Sequence, residues 1–158
     1  MVGRMSRPAS VAIVVLALSL GGCMPSSGSE FECDATPIRE GPLPEWALTS
    51  GLTEGPHVVA TDGAILGVLF VQPLRAGERT DGAFNKVLWI VRARNGSPLQ
   101  LTGERLDAGG DTVSYSYAAD SGPGEIYPSH VDVPASGCWR MALEWDGNAS
   151  SVTLRYSD

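Results

Sequence analysis

"CWRMALEWDGNASSVTLRY", residues 138–156, alternates apolar and polar side chains on both sides of an Asp-Gly pair. Successive side chains of a β-strand leave opposite faces. Trp139, Met141, Leu143 and Trp145 therefore form one apolar stripe, with Cys138, Arg140, Ala142 and Glu144 on the other face. Asp146-Gly147 suits a two-residue hairpin turn, which needs positive φ at both central positions. Val152, Leu154 and Tyr156 then face inward as well. The segment predicts an antiparallel hairpin with one face in a core, the strongest period-two signal in the chain.

Upstream, β-rich runs recur at 57–61, 64–72, 86–94, 99–106, 112–118 and 130–133, between Gly, Pro, Asn and Asp breaks. Helical periodicity is almost absent there, and Gly41–Gly51 is the one plausible helical turn. Many short strands at such spacing predict an all-β sandwich or barrel. The longer loops fall at Pro73–Asn85, Asp107–Asp111 and Ala119–Ser129.

The N-terminus has a different character. Arg4 and Arg7 precede an uninterrupted apolar run, Val11–Leu20, followed by Gly21 and Gly22. Positive start, short apolar centre and small-residue end are the marks of an export signal. The apolar run is about half of what a bilayer-spanning helix requires. "MPSSGSEFE", residues 24–32, is small, polar and acidic, the composition of a flexible spacer. The expected organisation is a signal peptide at 1–22, a lipidated N-terminus and tether at 23–41, and a β-domain at 42–158.

Loss of Arg4 and Arg7 with the signal takes the formal charge from −7 to −9. An acidic chain without a basic patch disfavours nucleic acid as a partner. Adsorption to anionic lipid is disfavoured too, so membrane affinity has to come from an anchor. With Cys23 acylated, Cys33 and Cys138 remain, and an even number of thiols in an oxidising compartment predicts a bridge. Because Cys138 faces away from the tryptophan stripe, Cys33 is expected across the outer side of that strand.

Candidate chemistry is sparse. Arg92 and Arg94 share a strand face and suit a carboxylate or phosphate; with Lys86 and Trp89 they form the candidate ligand-binding set. Pairing with surface acids, with tryptophan in the core, is the competing explanation. His57 and His130 are the two histidines, expected at the surface or as caps. Ser129 adjoins His130, but strand neighbours point apart, which argues against a hydrolytic pair. Asp107, Asp111 and Asp120 match no calcium-loop spacing. No metal or cofactor is expected.

Leu20-Gly21-Gly22-Cys23 resembles the bacterial lipobox, which implies diacylglyceryl transfer to Cys23, cleavage before it and an anchor of palmitate-class chains. Ordinary secretory cleavage is the alternative. "PLPEW" (42–46), "NKVLWIVR" (85–92) and "PSHVDVPASGCW" (128–139), in this order behind the lipobox, resemble a family of actinobacterial lipoproteins with no assigned activity. The closing hairpin is similar to that of immunoglobulin-like sandwiches. These resemblances imply an immunoglobulin-like antiparallel β-sandwich of about 7–8 strands on the extracytoplasmic face of the cell membrane. They imply no enzyme, but a binding or structural module with an unknown protein or envelope partner. An inhibitor-like module using the 73–85 or 119–129 loop is the alternative, and a hydrolase stands behind it.

Overall fold

A computed structural model describes residues 31–77, 82–93, 96–120 and 126–158. The stretch quoted above becomes two nine-residue strands, β7 (Gly137–Trp145) and β8 (Asn148–Tyr156), paired antiparallel. Asp146 and Gly147 turn between them with φ of 45° and 73°, the two positive values such a hairpin needs. Trp139, Met141 and Leu143 are fully buried, and Trp145 is 2% exposed.

Ahead of this hairpin come β1 (His57–Val59), β2 (Ile65–Leu69), β3 (Lys86–Val91), β4 (Leu99–Arg105), β5 (Thr112–Tyr117) and β6 (Ile126–His130). They form two antiparallel four-stranded sheets, ordered β1-β2-β3-β6 and β5-β4-β7-β8. Labelling β2 to β8 as A, B, C, C′, E, F and G gives the pairings A–B–E and C′–C–F–G. That is the Greek-key order of an immunoglobulin-like sandwich, with β1 added at one edge.

The inner faces meet in one core: Ile65 and Leu69 from β2, Trp89 from β3, Leu101 from β4, and the β7 and β8 stripes. Trp89 lies opposite Gly67 in the β2–β3 register, and a Cβ at Gly67 would come 2.6 Å from its ring. Glycine at 67 is the space that the indole occupies. The outer face of the first sheet is covered as well. Leu66, Val68, Leu88 and Ile90 pack against Leu43 and Ala47, the latter from a 3-10 helix at Glu45–Ser50. Burial on both faces explains why β2 and β3 read as near-continuous apolar runs rather than alternations.

Two sequence expectations need correction. The strand expected at 130–133 lies at Ile126–His130. It takes in part of the stretch expected as the Ala119–Ser129 loop, and β6 tolerates Pro128 because it is an edge. Val131 N–H bonds to Asn85 O at 3.0 Å, which puts the odd-numbered residues of this stretch in bonding phase with β3. The Pro128 nitrogen therefore faces away from the ladder, where no N–H is needed. Second, residues 33–41 do not belong to the tether. Cys33 is bonded to Cys138. Thr36 N–H donates to Thr153 O at 2.8 Å, and its hydroxyl accepts from Thr153 N–H at 2.9 Å. Arg39 and His57 exchange both backbone bonds. The segment thus runs from the outside of β7, past the β8 edge, to β1.

Gly67→Ala should lower stability by about 1–3 kcal/mol, the cost of overfilling a packed core, read as a lower urea midpoint. The bridge closes 105 residues of sequence separation. A Cys33→Ser/Cys138→Ser variant should lose up to about 4–5 kcal/mol by the same measurement. Cys23→Ser should leave the midpoint unchanged.

Candidate functional site

The segment from the end of β6, His130–Val133, is held by every one of its carbonyls. Tyr117 Oη donates to His130 O at 2.6 Å, Tyr156 Oη to Val131 O at 2.9 Å, and Tyr115 Oη to Asp132 O at 2.6 Å. Gly77 N–H takes Val133 O at 2.8 Å. Tyr115 and Tyr117, two apart on β5, share a face, and their rings stack at 5.8 Å. The Tyr115 and Tyr117 bonds join the β5 edge of one sheet to the β6 edge of the other, and Tyr156 reaches the same segment from β8.

Asn85, fully buried, ties in the base of the 73–85 loop. Its Nδ2 donates to Arg75 O and to Asp132 Oδ1, both at 2.7 Å. Its Oδ1 accepts from Arg75 N–H at 2.9 Å, and its own N–H donates to Asp132 Oδ1 at 3.1 Å. A buried amide with all these groups satisfied fixes a local geometry. Beside it opens a cavity of about 760 Å³, bordered by Phe84, Val113, Tyr115, Asp132, Val133 and Pro134.

Burial pushes the Tyr156 and Tyr117 phenols well above their usual range, and the nearby Asp132 and tyrosine charges add to the effect. Tyr115 is raised, again mainly by burial. All three therefore remain donors. Near the bridge, Arg105 Nε and Nη1 bind Asp107 at 2.8 Å and Asp111 at 3.3 Å. Burial raises the Asp107 carboxyl, but Arg105 and the Cys138 N–H outweigh it and hold the group below its normal value. Among the described residues no cluster of three His, Cys, Asp or Glu is arranged for a metal ion.

The residues singled out from sequence do not converge. Trp89 is fully buried on the inner face, and among the described residues its indole N–H has no acceptor. Lys86 and Arg92 lie at opposite ends of β3, on the other face. The Lys86 ammonium sits 4.9 Å from the Phe70 ring centre, and the Arg92 guanidinium 5.2 Å from that of Trp46. Arg94 and Cys23 lie outside the described residues. His57 is buried, not at the surface, with Nδ1 2.8 Å from Gly55 O. His130 is exposed and stacks on Phe84 at 4.5 Å. Ser129 points the other way and donates to Val87 O at 2.8 Å.

Tyr115, Tyr117, Asn85 and Asp132 escaped the sequence analysis. The Tyr-x-Tyr spacing on a strand was the available signal, since it places both phenols on one side. Comparison with protein-family models, with curated proteins and with solved structures returns no match to the chain.

The tyrosine clamp predicts an alkaline transition. A pKa raised in the folded state gives stability that is complete below the unfolded value, 10.0, and is lost as pH rises through the folded one. The urea midpoint should stay level to about pH 10 and then fall. A Tyr115→Phe/Tyr117→Phe/Tyr156→Phe variant should start lower and fall less steeply.

Proposed function

We propose that the protein is a lipid-anchored, extracytoplasmic lipoprotein whose β-sandwich is a non-enzymatic binding module of the cell envelope. The observation that carries this is the Cys33–Cys138 bridge. It gives the second and third cysteines a structural partner in each other and leaves Cys23 as the remaining thiol, directly behind the export-signal pattern. Two acyl chains on Cys23 make a stable anchor where one would be marginal. The nine residues 24–32 then hold the domain within at most about 35 Å of the lipid. Among the described residues no helix is long and apolar enough to cross a membrane.

An inhibitor-like module acting through the 73–85 loop is a second reading, and the Asn85 clamp at the loop base favours it. A protease panel separates the two: an inhibitor loop gives tight, slowly cleaved complexes, whereas a simple binding module gives none.

Cys23→Ala should move the protein out of the membrane fraction, or stop its processing, and abolish incorporation of a palmitate analogue. Unchanged membrane retention and unchanged mass would contradict the anchor.

A further inference from the structure

We propose that the outer edge of β5 accepts an extended peptide as an added strand, with a lysine or arginine side chain of that peptide seated in the adjoining cavity. This rests on the binding-module reading and names its partner by chemistry.

The edge is open by construction. Among the described residues β5 pairs only with β4. The 3.0 Å bond from Arg105 N–H to Asp111 O sets the phase of that ladder. Odd-numbered residues of β5 bond to β4, so Thr112, Ser114 and Ser116 turn their N–H and C=O groups outward. Each of the other three edges has a cover. The β6 edge has Pro128 and the Asp120–Ile126 bridge, β8 has Thr36, and β1 has Arg39. "TVSYSY" (112–117) carries no proline and no charge, the usual protections of an exposed edge.

The chemistry of the occupant follows from what lies under that edge. A strand added to β5 sends alternate side chains inward. Val113 and Tyr115, two of the three inward residues of β5, border the cavity of about 760 Å³. Its other walls include Gly77, Gly82, Phe84, Val133 and Pro134, with Asp132 among them. Asp132 accepts both of its protein hydrogen bonds on Oδ1. Largely apolar walls with one acidic residue among them suit a long aliphatic stem bearing a cationic head. The wider charge agrees: among the described residues from Leu106 to Trp139 there are four acidic residues and no lysine or arginine. Arg105 engages Asp107 and Asp111, at the far end of this stretch from Asp132.

The test uses the full-length protein in detergent micelles and a fluorescein-labelled nonapeptide, Val-Thr-Val-Thr-Arg-Thr-Val-Thr-Val, with a control carrying Glu in place of Arg. Anisotropy should show the Arg peptide binding at least tenfold more tightly than the Glu peptide. Ser114→Pro, which removes an outward N–H and obstructs the added strand, should abolish binding. Asp132→Asn should erase the preference for Arg. Hydrogen exchange on the unmodified protein should show the amides of Ser114 and Ser116 slowed by the Arg peptide, whether or not a variant folds. Equal affinity for both peptides, or no slowing at those amides, would overturn the proposal. A dimer that Ser114→Pro dissociates would also overturn it, by assigning the edge to a second copy. Peptide-binding failure leaves the membrane partition of the wild type untouched, so it is distinguishable from failure of the anchor.

Discussion

The side-chain parity of β7 decides where everything else goes. Trp139, Met141, Leu143 and Trp145 take the inner face and fill the core. Cys138, one position away from Trp139, must then leave on the outer face. A partner for it has to approach from outside the second sheet, and Cys33 does so. The N-terminal segment is thereby committed to wrap over the β8 edge before it reaches β1. In antibody domains the corresponding bridge crosses the interior between the sheets. Here three tryptophans occupy that interior instead, and the bridge serves as an external staple.

The staple makes the two long sides of the sandwich unlike. One side is closed by residues 33–39, which bond to β8 and β1 in succession. The other is held by phenol-to-carbonyl bonds under β5, whose outer edge pairs with no other strand among the described residues. Phenols suit this task because each combines a large apolar body with one donor at its tip. Burial keeps that donor protonated, so the clamp is insensitive to pH across the neutral range.

Much of the fold was legible because β-strand patterning is a local property. The β7–β8 hairpin, its Asp-Gly turn, the stripe and the outward cysteine all follow from parity within a few residues. The two-faced burial of β2 and β3 was not legible, since Leu88 and Ile90 look like an outer face until Leu43 and Ala47 cover them. β6 was displaced because Pro128 opposes a strand everywhere except at an edge, and being an edge is a property of the whole sheet. The candidate site was mostly illegible. Lys86, Trp89 and Arg92 are close in sequence, but strand geometry sends Trp89 inward and keeps the two cations a strand length apart. Asn85, Asp132 and the three tyrosines are scattered over more than seventy positions and meet only through the Greek key.

The central claim is that the parity of β7 commits Cys138 to Cys33 and leaves Cys23 for the proposed lipid. Peptide mapping of the non-reduced, membrane-extracted protein tests it most directly. Trypsin with a Glu-specific protease separates Cys23 from Cys33 by cleaving at Glu30 and Glu32, and releases residues 33–39 and 126–140. The account predicts these two peptides joined by a disulfide, and Cys23 recovered on an acylated fragment. A disulfide that includes Cys23, or Cys33 recovered as a free thiol, would contradict it.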